Sequence, residues 1–133
     1  MNKVEHIGIA VKDMDQSCDL YEKLLGTSCY KKELVESEGV QTAFFRTGIN
    51  KIELLTATRS DSPIARFLEK RGEGIHHIAF DVADILSEMK RLKNEGFVLL
   101  SELPKKGADN KLICFVHPKD TNGVLIELCQ EIG

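Results

Sequence analysis

Two stretches of the chain alternate apolar residues with polar or small ones in the same way. Residues 6–13 read His6-Ile7-Gly8-Ile9-Ala10-Val11-Lys12-Asp13, and residues 77–84 read His77-Ile78-Ala79-Phe80-Asp81-Val82-Ala83-Asp84. A period of two predicts a β-strand with one apolar face. Ile7, Ile9 and Val11 form that face in the first stretch; Ile78, Phe80 and Val82 form it in the second. His6, Gly8, Ala10 and Lys12 point the other way, as do His77, Ala79 and Asp81.

A helical period follows each strand. Met14 to Leu25 carries Cys18, Tyr21, Leu24 and Leu25 on one stripe, with Gly26 as its stop. Residues 85–95 carry Ile85, Met89 and Leu92 on one stripe, with Gly96 as the stop. Strands are then expected at residues 42–46 and 51–55, around the turn Thr47-Gly48-Ile49-Asn50. In the second half they are expected at residues 111–117 and 124–129, around a turn that includes Asp120-Thr121-Asn122-Gly123. Weaker strand patterns lie at residues 29–35 and 98–103. Asp61-Ser62-Pro63-Ile64 has the polar cap and early proline of a helix start, with the helix running to about Lys70 and ending near Gly72. The chain thus reads as an α+β fold of two βαβββ modules, about 1–58 and 74–133, in one domain joined by a short helical linker. Its mixed sheet is expected to cup a metal site.

The last strand of each module repeats a second signal. Ile52-Glu53-Leu54 and Ile126-Glu127-Leu128 each place a glutamate opposite two apolar neighbours. His6, Glu53, His77 and Glu127 therefore share the face turned away from the helices. One such residue is ordinary in a strand; four at duplicated positions with duplicated neighbours point to a shared task. Two neutral imidazoles and two carboxylates suit one divalent ion such as Ni²⁺, Co²⁺, Zn²⁺, Mn²⁺ or Fe²⁺. Gly8, Ala10 and Ala79 leave room beside it. His76 falls on the opposite face from His77 and reads as a neighbour of the site, not a ligand.

Composition narrows the classes. The chain has 133 residues, 42% of them hydrophobic and 29% charged, enough for one compact core. The formal net charge of −3 and the lack of a basic block exclude nucleic acid as the expected partner. No apolar run is long enough to span a membrane, and the N-terminus leads straight into the first alternation, so a cytoplasmic location is expected. Cys18, Cys29, Cys114 and Cys129 make no C-x-x-C pair and read as free thiols.

With its His-Glu-His-Glu set in two βαβββ modules, the whole chain resembles the vicinal-oxygen-chelate superfamily. The resemblance implies a single divalent ion, with Ni or Co favoured, and a homodimer acting on a small thiol adduct or thioester. Two branches fit. The glyoxalase I branch (lactoylglutathione lyase) uses this metal set, and its metal-ligand glutamates also move the proton. That assigns Glu127 and Glu53 the catalytic role and isomerisation of the methylglyoxal–glutathione hemithioacetal as the expected activity. The alternative is the methylmalonyl-CoA epimerase branch, which 61–65, 117–120 and 123–128 resemble. Some of its members carry an acid where Thr42 stands, whereas the glutathione-binding Arg and Asn of bacterial glyoxalase I are replaced by Ala10 and Ala57. Lys12, Arg46 and Lys105 are then the candidate glutathione anchors. His117 and Lys119 are expected in a turn, with a substrate contact as the further option for each.

Overall fold

A computed structural model describes all of residues 1–133. The order is β1 (Lys3–Ala10), α1 (Met14–Leu25), β2 (Lys31–Val35), β3 (Val40–Thr47), β4 (Asn50–Ala57), α2 (Pro63–Arg71), β5 (Gly74–Asp81), α3 (Ile85–Asn94), β6 (Lys105–Lys106), β7 (Lys111–Val116) and β8 (Ile126–Glu131). Single-turn 3₁₀ segments occupy Glu36–Glu38 and Pro118–Asp120. The fold is α+β, and no helix is long and apolar enough to cross a membrane.

The chain divides into two compact units, His6–His76 and Met1–Glu5 with His77–Gly133, so the division cuts through β1 and β5. In the first unit the strands lie in the order β2-β3-β4-β1. β2, β3 and β4 are antiparallel, while β1 runs parallel to β4. α1 starts at Asp13, whose carboxylate accepts the Gln16 N–H at 3.1 Å, and ends on Gly26 in the left-handed conformation. Met14, Cys18, Tyr21 and Leu25 pack against Ile9, Val11, Phe45, Ile52 and Leu54. The inward stripe is therefore 14, 18, 21 and 25. Leu24, expected on it, is 69% exposed because it falls past the edge of that apolar arc.

α2 does more than link. Ser62 caps it, accepting the Ala65 N–H at 3.0 Å. Its Ile64, Phe67 and Leu68 pack on Ala10, Val40 and Leu55, the other face of the sheet. The first unit is thus covered on both sides at this end.

In the second unit the order is β5-β8-β7-β6, with the start of β1 beside β5 through the Asn2 N–H and the Asp81 carbonyl at 2.8 Å. β5 and β8 are parallel; β8, β7 and β6 are antiparallel. Asp84 caps α3 by accepting the Ser87 N–H at 3.2 Å. Ile85, Met89 and Leu92 pack on Val82, Cys114, Val116 and Leu128. The strand expected at 98–103 does not form. Leu99 makes a single bridge to Val116, and the edge strand is the two-residue β6 further on. Val98, Leu100 and Leu103 are exposed and Leu99 alone packs on the core, too short a buried face to fix the register of a full strand.

Candidate metal centre

Parallel pairing sets the first pair of polar residues. β1 and β4 align His6 with Lys51 and Gly8 with Glu53. All four share one face, and the glycine puts no side chain beside the glutamate. His6 Nε2 lies 3.3 Å from Glu53 Oε1. On the antiparallel side Phe44 stands opposite Glu53 and Thr42 opposite Leu55.

The second unit repeats the device. β5 and β8 align Ala79 with Glu127, a small residue again beside the glutamate. His77 Nε2 lies 3.5 Å from Glu127 Oε1. Phe115 stands opposite Glu127 and meets the His77 ring edge-on, with centroids 6.1 Å apart at 87°. The four side chains are nearly dry: His6 5%, Glu53 4%, His77 2% and Glu127 6% exposed.

A buried carboxylate is costly without positive charge beside it. In each pair an imidazole stands beside a carboxylate, donors that suit a divalent cation. Adjacent ligands ~2.1 Å from a common ion stand roughly 3.0–3.4 Å apart; the first pair, at 3.3 Å, falls inside that range and the second, at 3.5 Å, just beyond it. The donor set therefore suits a metal, and each pair could ligate one.

Other expected residues find duller places. His76 packs its ring edge-on against Phe67 of α2, with centroids 5.0 Å apart. His117 Nδ1 accepts the Lys119 N–H at 3.1 Å, which makes it the cap of the short 3₁₀ turn. Lys119 is exposed there. Thr42 is buried, and its hydroxyl donates to the Glu33 carbonyl at 3.4 Å. All four cysteines are free. Burial pushes the Cys129 thiol far up, helped by the nearby carboxylates of Glu127 and Glu5. Glu5 is the residue that alternation missed. It is buried, although a period of two would place it on the face opposite His6, and no local pattern marks it.

The comparisons separate the two branches. The chain is 42% identical to the ethylmalonyl-CoA/methylmalonyl-CoA epimerase of Cereibacter sphaeroides over 98% of each chain. It is 38% identical to the human mitochondrial methylmalonyl-CoA epimerase over 98% of this chain and 74% of that one. A structure of Streptomyces coelicolor methylmalonyl-CoA epimerase in complex with 2-nitronate-propionyl-CoA superposes with a TM-score of 0.96 at 34% identity, covering 100% of this chain and 99% of the other. A probable lactoylglutathione lyase of Vibrio cholerae is only 28% identical over 97% of this chain and 91% of its own.

These findings overturn the expected lactoylglutathione lyase activity. The packing supplies a physical reason. Ala10 and Ala57, which replace the two glutathione anchors, lie in or against the apolar cluster under α2. A polar peptide anchored there would meet Ile64, Leu55 and Val40 instead of hydrogen-bond partners. Residues 5–115 match the family model described as the Glyoxalase/Bleomycin resistance protein/Dioxygenase superfamily, and with these relatives and this fold the chain belongs to that superfamily.

Proposed function

We propose that the protein is a metal-dependent methylmalonyl-CoA epimerase, with His6, Glu53, His77 and Glu127 holding one divalent ion. The observation that carries this reading is the pair of buried His–Glu contacts at repeat-related positions, in a chain whose relatives include methylmalonyl-CoA epimerases.

The reaction inverts C2, the carbon between the thioester and the free carboxylate. A base removes the C2 proton, the electron pair moves onto the thioester oxygen to give an enolate, and a proton returns to the other face of the same carbon. The bound ion would supply the positive charge that makes this proton removable. Glu53 and Glu127 come from different halves of the repeat. One carboxylate takes the proton and the other returns one. Phe44 and Phe115, opposite the two glutamates, keep water from the transferred proton. His6 and His77 would hold the ion beside the two glutamates, each with its Nε2 next to a glutamate oxygen. Imidazole and carboxylate donors suit Co²⁺, Ni²⁺, Zn²⁺ or Mn²⁺. The reading includes a homodimer, which light scattering checks.

The test is a coupled assay with one C2 epimer of methylmalonyl-CoA, run on protein loaded with each metal and on chelated protein. Turnover should require metal and reach one equivalent of ion per chain. Metal-loaded protein that leaves both epimers untouched would overturn the reading.

A further inference from the structure

The face that carries His6 and Glu53 has two unlike ends. At one end α2 seals it, with Ile64 packed on Ala10, Val40 and Leu55. The opposite end carries cations. Arg46 stands opposite Lys51 on the β3–β4 ladder, and Lys51 aligns with His6 on the β4–β1 ladder, so all three share the face. Lys31 aligns with Phe44 on the same face and is paired with Glu33 at 3.4 Å. The Arg46 guanidinium lies 4.2 Å from the centre of the Tyr30 ring, and Tyr30 in turn packs on Phe44 at 6.0 Å between ring centres. Arg46 and Tyr30 are exposed, and Lys51 is half-buried.

Arg46 is one strand across and two residues along from Glu53, roughly 8 Å at the backbone before its side chain extends further outward. That is too far to touch a carbon reacting beside Glu53. It suits an anionic group joined to the reacting carbon by a linker. A guanidinium stacked on an exposed aromatic ring is pre-ordered, which lowers the cost of gripping a phosphate in a two-pronged hydrogen bond. We infer that Tyr30, Arg46 and Lys51 form the anchor for the phosphate-bearing nucleotide end of the thioester substrate, with Lys31 adding charge at its flank. The sealed α2 end leaves this end as the way out for the linker. The inference rests on the thioester reading above and assigns the part of the substrate that no reacting residue touches.

The test compares methylmalonyl-CoA with methylmalonyl-pantetheine, which keeps the reacting end and lacks the nucleotide. Wild-type protein should show a KM at least roughly tenfold lower for the CoA thioester. Arg46→Gln, Lys51→Gln and the double substitution should raise KM for the CoA thioester stepwise, roughly tenfold each, and close the gap. KM for the pantetheine thioester and bound metal should not move, and Arg46→Lys should recover part of the loss. High salt should weaken only the CoA substrate. Equal wild-type KM values for the two thioesters, or variants that raise both alike, would overturn the anchor. Should neither thioester be epimerised, the activity reading fails by itself. Calorimetry with free CoA then decides the anchor: binding weakened in the variants upholds it, and no binding to wild type overturns it.

Discussion

The two halves of the chain share a centre and differ at their edges. In each, a histidine on one strand meets a glutamate on the parallel partner through equivalent atoms, at 3.3 Å in the first half and 3.5 Å in the second. In each, a small residue sits beside the glutamate, Gly8 or Ala79, and a phenylalanine opposes it, Phe44 or Phe115. Outside that centre the likeness stops. The first half has a five-residue edge strand and a helix across its ligand-bearing face. The second has a two-residue edge strand, and on the same face Ala79, Ile113 and Cys129 pack together with Phe115. The two halves keep the same histidine–glutamate pair and differ in what packs around it.

The comparison breaks most visibly if the halves contribute unequally to metal. His6→Ala and His77→Ala should each strip the ion and lower kcat by about a thousandfold or more, read by metal analysis and turnover. Full metal content in either variant would mean that one half holds the ion alone.

The next effect probes the helix that only the first half has. Ile64→Ala empties a fully packed site under α2 and should cost about 2–4 kcal/mol, measured by urea unfolding. Leu24→Ala, on the exposed side of α1, should cost less than about 0.5 kcal/mol. Similar losses would mean that α2 packs no more tightly than the surface of α1.

The neighbouring histidines sharpen the contrast at smaller scale. His76→Ala should keep the metal and cost about 1 kcal/mol, from the lost edge contact with Phe67. Metal loss in His76→Ala would undo the strand register assigned to β5.

The smallest effect is a pH slope shared between the halves. Burial pushes up the thiols of Cys18 in α1 and Cys114 in β7. Above the ordinary thiol value of about 8.5 the unfolded chain gives up these protons while the folded chain keeps them. Stability is therefore whole below that pH and falls as pH rises, at no more than about 1.4 kcal/mol per pH unit for each thiol. Cys18→Val and Cys114→Val should each flatten the slope of melting temperature between pH 8 and 10. A slope unchanged in both would place the alkaline loss elsewhere.

Much of the centre was legible in the sequence because it is local. Asp13 and Gly26 bound α1 at the expected residues, and strand alternation assigned His6 and His77 to the face they occupy. Other features depend on contacts between distant segments. The pattern at 98–103 predicts a strand, yet only Leu99 packs on the core while Val98, Leu100 and Leu103 stay exposed. Ser62 and Pro63 announced α2, but nothing local said that it would lie on Ala10 and Leu55. That packing fills the positions of the two glutathione anchors with apolar neighbours, so the glutathione expectation gives way. Glu5 is buried without any local pattern that marks it.

The central claim is proton exchange at C2 of a malonyl-type thioester. One epimer of methylmalonyl-CoA, incubated with metal-loaded protein in D₂O and followed by proton NMR, tests it most directly. The account predicts loss of the C2 proton signal, collapse of the methyl doublet and formation of both epimers, all abolished by chelation. A C2 proton that persists while the protein is folded and metal-loaded would contradict it.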